Sequence, residues 1–496
     1  MSTSVLAPTD SPARLAGRRE WLALVPLTLA VTLLAVDGTV LALAVPSLSA
    51  DLNASATDLL WICDVYSFAL AGLLISMGTL ADRIGRRRLL LIGGTGFGLA
   101  SLLAAFAPGP GWLIAARAVL GVAGATLMPA TLSIVRNLFP DDRQRTRAVA
   151  IWSTGGAGGA ALGPLVGGVL LEHFWWGSVF VINLPIMAMM VLTVFWLVPE
   201  SRDPHPGRFD LLSAVLSVVA IVPLVWAVKH TAHDGPDGLA LAVALTGVGF
   251  GVVFARRQRV LPDPLVDLTL FRRPAFAGTV LASFIAIFAF SGLLYFFSQY
   301  LQLVHGYSPF RAGLREMPLT VASIVVAVVA VPLIARIGVG RTLGSSLLLS
   351  ALGFVVLAVF ETAQGYAGLL VGLIVIGLGV GLVFTAATDA VLGSVPRERA
   401  GSASAISEMS YELGVAVGIA VLGSLQGVLY RDRLPGFPGP ARDSLAEATQ
   451  VLGPGELLEA AQHAFAEAMR ATSWIAAALL VVAGVVAWRV VPSERR

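Results

Sequence analysis

Lysine and cysteine each occur once in this chain of 496 residues, at Lys229 and Cys63, and charged side chains make up only 13% of it. A lone cysteine excludes an internal disulfide and any cysteine-built metal site. So little charge excludes a soluble domain, whose surface needs far more polar cover. The pI near 9.3 does not mark a nucleic-acid binder, because no basic stripe exists. The arginines fall in short clusters between apolar blocks, a placement that follows membrane topology. There is no P-loop, metal-ligand cluster or nucleophile–base pair. The chain therefore reads as neither enzyme nor sensor, and no cofactor or metal is expected.

What is present is apolar sequence, 57% of the residues, in blocks of roughly 20, the length that carries a helix across a bilayer. The blocks predict helices near 21–46, 57–79, 88–107, 111–136, 147–171, 176–198, 209–229, 238–256, 275–302, 311–335, 341–360, 367–392, 401–430 and 471–491. The fold class is thus an all-α membrane protein with fourteen spans and both termini on one side. With that side cytoplasmic, about 25 of the 33 basic residues lie in or beside inside segments and about 7 outside. The inside clusters include Arg83, Arg86, Arg87 and Arg88, then Arg143, Arg145 and Arg147, then Arg256, Arg257, Arg259, Arg272 and Arg273. Residues 1–20 read as a cytoplasmic tail ahead of a retained first helix, with no cleavable signal peptide, and 492–496 as a second cytoplasmic tail.

One repeat is visible. Leu80-Ala81-Asp82-Arg83-Ile84-Gly85 is followed by Arg88, and Leu333-Ile334-Ala335-Arg336-Ile337-Gly338 by Arg341, with the same Arg-Ile-Gly…Arg spacing. It pairs the second span with the tenth. That predicts a six-helix bundle over 21–198, a related bundle over 275–491 and two inserted helices over 209–256, the plan of a transporter with a central site. The longest outside segment, 431–470, predicts an extracellular loop. An amphipathic helix is expected from Gly455, with Leu457, Leu458, Ala461, Phe465 and Met469 on one face. It serves either as a cover over the outer mouth or as an interfacial connector.

Four segments carry chemistry. Gly78-Thr79-Leu80-Ala81-Asp82-Arg83-Ile84-Gly85-Arg86-Arg87-Arg88 is a tight, charged turn whose ion pairs can hold one conformation of two rocking bundles. Arg117 lies inside the fourth span, where a cation needs a partner. Gly155, Gly159, Gly163 and Gly167 recur every fourth residue and give the fifth span a flat packing face, and Pro164 bends it. Ala35-Val36-Asp37-Gly38-Thr39-Val40 puts a carboxylate in the first span. The charged turn closely resembles the signature loop of the major facilitator superfamily. The run Gly163-Pro164-Leu165-Val166-Gly167-Gly168, with Gly159 before it, resembles the antiporter motif of its drug exporters. The Asp37 segment resembles the opening motif of the fourteen-span drug:proton antiporter branch. Arg117-Ala118-Val119-Leu120-Gly121 is similar to the family's second motif, with Leu120 where Gln is usual.

The resemblance implies a two-bundle fold in the cytoplasmic membrane and an exporter of lipophilic cations coupled to protons. The expected partners are therefore protons, lipophilic organic cations and the lipid bilayer, with no nucleic acid, and the expected state is a monomer. It implies a switch formed by Gly78, Asp82, Arg83, Gly85, Arg86 and Arg87. Proton coupling falls to Asp37, Arg117, Glu408 and Glu412, with a structural ion pair the alternative for Arg117.

The residues themselves point the same way. Asp37, Asp64, Glu316, Asp389, Glu408 and Glu412 are acids inside spans, against only Arg117 and, at a span edge, Arg315. An acid without a countercharge in low dielectric accepts either a proton or a cation, and that competition is the basis of exchange. Asp64 beside Trp61 and Tyr66 combines charge with aromatic faces suited to an organic cation. Glu408 and Glu412, four apart, share a helix face with Tyr411 between them. Glu316 either belongs to the substrate site with Asp64, Trp61, Tyr66 and Tyr411 or pairs with Arg315. A same-fold exporter of a metabolite, antibiotic or lipid is the alternative cargo reading.

Overall fold

The computed structural model describes residues 15–202, 210–262, 264–362, 365–393 and 400–493. Backbone in lipid has no water to bond, so each apolar block closes its own hydrogen bonds as a helix. The first half runs α1 Arg18–Leu52, α2 Ala56–Ile84, α3 Arg86–Ala105, α4 Pro110–Leu138, α5 Asp142–His173, the single turn α6 Ser178–Val181 and α7 Asn183–Leu197. Helices α8 Leu211–Asp234 and α9 Gly238–Val260 follow. The second half runs α10 Pro274–Gln299, extended by a π turn Tyr300–Val304, then α11 Pro309–Ile337, α12 Val339–Phe360, α13 Ala367–Gly393, α14 Ala400–Asp432, α15 Gly439–Asp443, α16 Leu445–Val451 and α17 Glu456–Val490. Among the described residues, twelve helices are long and apolar enough to cross a bilayer, or thirteen if the bent α5 is one span. At the place of the tenth expected span stands α11, 29 residues long. The count of fourteen stays an expectation.

The repeat noticed in sequence extends to the packing. In the first half the most extensive pairings are α1 with α5, α2 with α4, α3 with α4, and α3 with α7; in the second they are α10 with α14, α11 with α13, α12 with α13, and α12 with α17. Gly85 and Gly338 each end one helix and begin the next in a positive-φ conformation, φ 113° and 83°. Each donates its N–H back to the preceding helix, to Ala81 and Ile334. Only glycine adopts that backbone without strain. The next turns dock alike: Arg86 N–H donates to the Ser201 carbonyl (3.0 Å) just past α7, and Arg341 N–H to Ser493 Oγ (3.1 Å) just past α17. The inserted pair lies outside this symmetry. α8 packs on α9, α14 and α2, while α9 packs chiefly on α8.

One expectation is corrected. The amphipathic segment after Gly455 is not a separate surface helix: it forms the first turns of α17, which runs unbroken for 35 residues. Ala461, Phe465 and Met469 are buried as expected, but Leu457 is exposed. Inside the 431–470 segment only α15 and α16 fold separately, and α16 packs against α1 and α17. At about 1.5 Å per residue a helix of this length outreaches the bilayer core, so its polar opening stands clear of lipid while its inner face stays packed.

The glycine stripe of α5 does what its spacing predicts. A methyl group on Gly155, Gly159, Gly163 or Gly167 would overlap α1, at Thr28, Thr32, Thr39 and Val40 respectively. α5 bends by 43° between Ala160 and Leu162, where Pro164 leaves the Ala160 carbonyl without its helical donor. Gly168 points elsewhere, across to the second half: its methyl would stand 2.7 Å from Phe310 Cα, and one on Gly313 would overlap the Pro164 carbonyl. Hydrogen bonds between the halves gather at that same end. Gln302 Nε2 donates to the Leu43 carbonyl (3.1 Å), Ser308 Oγ to Glu172 (3.1 Å) and Gln450 Nε2 to Ser49 Oγ (3.5 Å). The halves are thus clasped at the end opposite the arginine-rich turns.

Candidate functional site

One deeply buried ion pair is built from the first half alone. Arg117 on α4 and Asp37 on α1 are each 1% exposed, and their Nη1 and Oδ2 atoms are 2.6 Å apart. Arg117 Nε donates to the Ile62 carbonyl of α2 (3.1 Å), and its guanidinium lies over the Tyr66 ring at 4.5 Å. Asn183 of α7 donates to the other Asp37 oxygen (3.3 Å) and to Ser101 of α3 (3.0 Å). Four helices therefore meet on one ion pair and Asn183 ties in α3 as a fifth, which satisfies the rule that a charge in the apolar phase is paired and hydrogen-bonded. Gly121 allows it: any side chain there would overlap the Tyr66 carbonyl.

A second pair joins the first half to the inserted helices. Asp64 of α2 and Lys229 of α8 are 0% and 2% exposed, with Nζ 2.8 Å from Oδ2. The ammonium lies 3.8 Å from the centre of the Trp61 ring. Two sequence expectations are corrected here. Asp37 and Asp64 are not acids without countercharge, and Arg117 and Arg315 are not the only bases among the helices. The physical reason is the inserted helix: α8 brings its one lysine against α2 from the outside of the bundle, a contact no spacing within α2 reveals. Trp61 and Asp64, three apart, share a face as expected. Tyr66 does not join them and turns to Arg117.

The second half holds acids of another kind. Glu408 and Glu412 on α14 are half-buried and, among the described residues, have no cationic partner within ion-pair distance. Glu412 faces Ser67 of α2, and Tyr411 stands against Phe384 of α13, ring centres 5.4 Å apart. Glu316 on α11 is buried, and its Oε1 has no hydrogen-bond partner. It does not pair with Arg315, which instead lies over Tyr307 at 3.8 Å and Tyr366 at 5.1 Å. The side chain of Asp389 lies outside the described residues.

In the charged turn, Asp82 pairs with Arg86 at 2.7 Å. Arg87 donates its amide to Glu200 (3.1 Å) and a guanidinium N–H to the Phe195 carbonyl (2.6 Å), both at the end of α7. Arg88 approaches Glu200 at 3.8 Å. A methyl on Gly85 would meet the Glu200 carboxylate at 2.6 Å, and one on Gly78 would touch Pro129 at 3.6 Å. For Arg83 the structure shows only its place in the last turn of α2. Among the described residues, these ion pairs and hydrogen bonds of the turn stay within the first half.

Sequence reasoning missed Lys229, Asn183 and Glu361. Lys229 carried a signal, being the single lysine in an arginine-rich chain. Asn183 carried none. Glu361 reads as a loop acid after α12, yet it is 1% exposed and accepts a 2.8 Å hydrogen bond from Ser473.

Two pseudo-equivalent helical bundles with ion pairs buried among their helices are the plan of a multi-span membrane transporter. The sequence profile of the Major Facilitator Superfamily matches residues 27–419, and the chain belongs to that family. It is 44% identical over 481 residues to the multidrug efflux pump LfrA of Mycolicibacterium smegmatis, covering 94% of this chain and 95% of that one. It is 40% identical to the methyl viologen resistance protein SmvA of Salmonella typhimurium, covering 90% and 93%. A bacterial homologue of the human lysosomal transporter Spinster, in an inward-facing and occupied conformation, shares the fold with a TM-score of 0.68 at 19% identity, over 95% of this chain and 97% of that one.

Proposed function

We propose that this protein exports lipophilic organic cations, such as planar dyes and quaternary ammonium compounds, in exchange for protons by alternating access. The observation that carries this is the trio Glu316, Glu408 and Glu412, buried or half-buried with no cation beside them among the described residues. Such groups are most stable when neutralised, by a proton or by a positive guest. Proton and drug then compete for one charge, so each expels the other. The extensive likeness to an efflux pump and to a resistance protein against methyl viologen, a dication, supports the same cargo.

Asp37 with Arg117 is the coupling element of the first half, because protonating Asp37 would release the α4 guanidinium from α1 and loosen the cluster in which the helices meet. The arginine-rich turns face the cytoplasm, as the positive-inside bias requires. On that orientation the clasped end is the outer one, and the conformation is closed outward. The charged turn Gly78–Arg88 holds its ion pairs within one half here and is the element that exchanges them when the inner end closes. The Gly-Pro kink of α5, facing α1 on one side and α11 on the other, transmits the movement.

The test is uptake of ethidium into inverted vesicles. Uptake should require an imposed pH gradient and vanish in Asp37→Asn. Gradient-driven uptake at wild-type rate in that variant would remove Asp37 from coupling, and uptake indifferent to the gradient would end the antiport reading.

A further inference from the structure

The Asp64–Lys229 pair has a property that an ordinary structural ion pair lacks. The ammonium occupies the seat that an organic cation would take, beside a carboxylate at 2.8 Å and over an indole ring at 3.8 Å. Carboxylate plus aromatic face is the recognition chemistry of quaternary and planar cations. The lysine arrives on α8, outside the symmetric bundles, and α8 packs on both α2 and α14, one from each half. Beside it lies a cavity of about 270 Å³ between the start of α2 and the end of α8, lined by Asp58, Trp61, Trp226, Lys229, His230 and Asp234, among others. A displaced ammonium on a four-carbon stem therefore has room to move and two further carboxylates, Asp58 and Asp234, to move toward.

We propose that Lys229 is a tethered stand-in for the transported cation: it holds Asp64 and Trp61 while the site is empty and swings into the adjoining cavity when a monovalent organic cation takes its place. The inserted helix pair is then the occupancy sensor of the transporter rather than a spacer between bundles. An empty carrier would not leave Asp64 as a bare charge in low dielectric. A filled one would free α8 from α2, loosening one of the contacts that link the halves.

This rests on the cation-export reading, and the experiment separates the two. Binding of tetraphenylphosphonium to the purified full-length protein is measured by calorimetry for wild type, Lys229→Met and Lys229→Arg. Lys229→Met removes the internal competitor, so affinity should rise about tenfold, in the range of ordinary coupling between two ligands of one site. Lys229→Arg clamps Asp64 with a forked donor that leaves less readily, so affinity should fall. Opposite shifts are the signature of a competitor. Unchanged affinity in both variants, or shifts in the same direction, would overturn the proposal. If Lys229→Met does not fold, Lys229→Arg decides alone: weaker binding supports the stand-in, and equal or tighter binding sinks it. The double variant Asp64→Asn/Lys229→Met should lose the gain, and keeping it would place the tighter site elsewhere. A wild-type protein that binds no organic cation at all would instead overturn the export reading beneath it.

Discussion

The two halves share a plan but not a way of carrying charge. In the first half each deeply buried acid has a cation against it, Asp37 with Arg117 and Asp64 with Lys229. In the second, Glu316, Glu408 and Glu412 have none among the described residues. Removing one member of a pair strands the other in low dielectric, so the paired acids bear on stability as well as on coupling. Acids without a partner behave as sites, because they cost least when occupied. Burial alone therefore does not set what a membrane carboxylate does: one held by a cation works by exchanging or releasing that partner, and one without a cation works by taking up a proton or a guest.

The largest expected effect tests the paired side. Arg117→Met leaves Asp37, 1% exposed, without its countercharge and should cost about 3–5 kcal/mol, the usual penalty for breaking a buried pair. Thermal unfolding in detergent should show a sharply lowered midpoint. Glu412→Gln, by contrast, removes no partner and should stay within about 1 kcal/mol of wild type, while dye export collapses. Equal loss of stability in both variants would break the distinction drawn between the halves.

An intermediate effect sharpens it through glycine. Gly159→Ala would drive a methyl into the Thr32 backbone of α1, inside one bundle. Gly168→Ala would press on Phe310 across the clasped end between bundles. Overpacking of this kind typically costs about 1–3 kcal/mol, but the two should be spent differently. Gly159→Ala should lower the unfolding midpoint. Gly168→Ala should open the clasp, seen as faster alkylation of a cysteine introduced at Gln302 in a cysteine-free background. If Gly168→Ala only destabilises and leaves accessibility alone, the clasp is not a moving contact.

How much of this was legible in the sequence depends on whether a residue's partner lies on its own helix. The α5 stripe was legible because four-residue spacing is a property of one helix. The Arg-Ile-Gly repeat was legible because both copies need the same positive-φ turn. Arg117 announced that it needed a partner, and Asp37 was already a candidate. Lys229 was not placed, because its meaning depends on α8 docking against α2, and helix-to-helix docking leaves no periodic trace. The run from Gly455 does not show its continuity with the last span, because it carries charges such as Glu467 and Arg470, three apart and ion-paired at 3.0 Å. In the fold they pair along the side of a continuous helix.

The smallest expected effect concerns a charge at the edge of the inserted pair, where burial is slight. Asp210 caps α8, accepting from the Ser213 hydroxyl at 2.5 Å and amide at 3.1 Å, and pairs with Arg257 of α9 at 3.0 Å. Partial burial acts to raise its pKa, but the Ser213 hydroxyl, Arg257 and the Ser213 amide together outweigh it and hold the carboxyl below its usual range. A depressed folded-state pKa contributes stability that is present in full above the unfolded value, near 3.9, and is lost as pH falls through the folded one. The α8–α9 junction should therefore hold its protection across neutral pH and loosen only in strong acid. Hydrogen exchange at the Ser213 amide reads this directly. Asp210→Asn should lower the protection of that amide a few-fold at neutral pH, and wild type should show the same loss, relative to intrinsic exchange, only below about pH 4. Loss of wild-type protection beginning near neutrality would show that the Asp210 carboxylate is not what holds the junction.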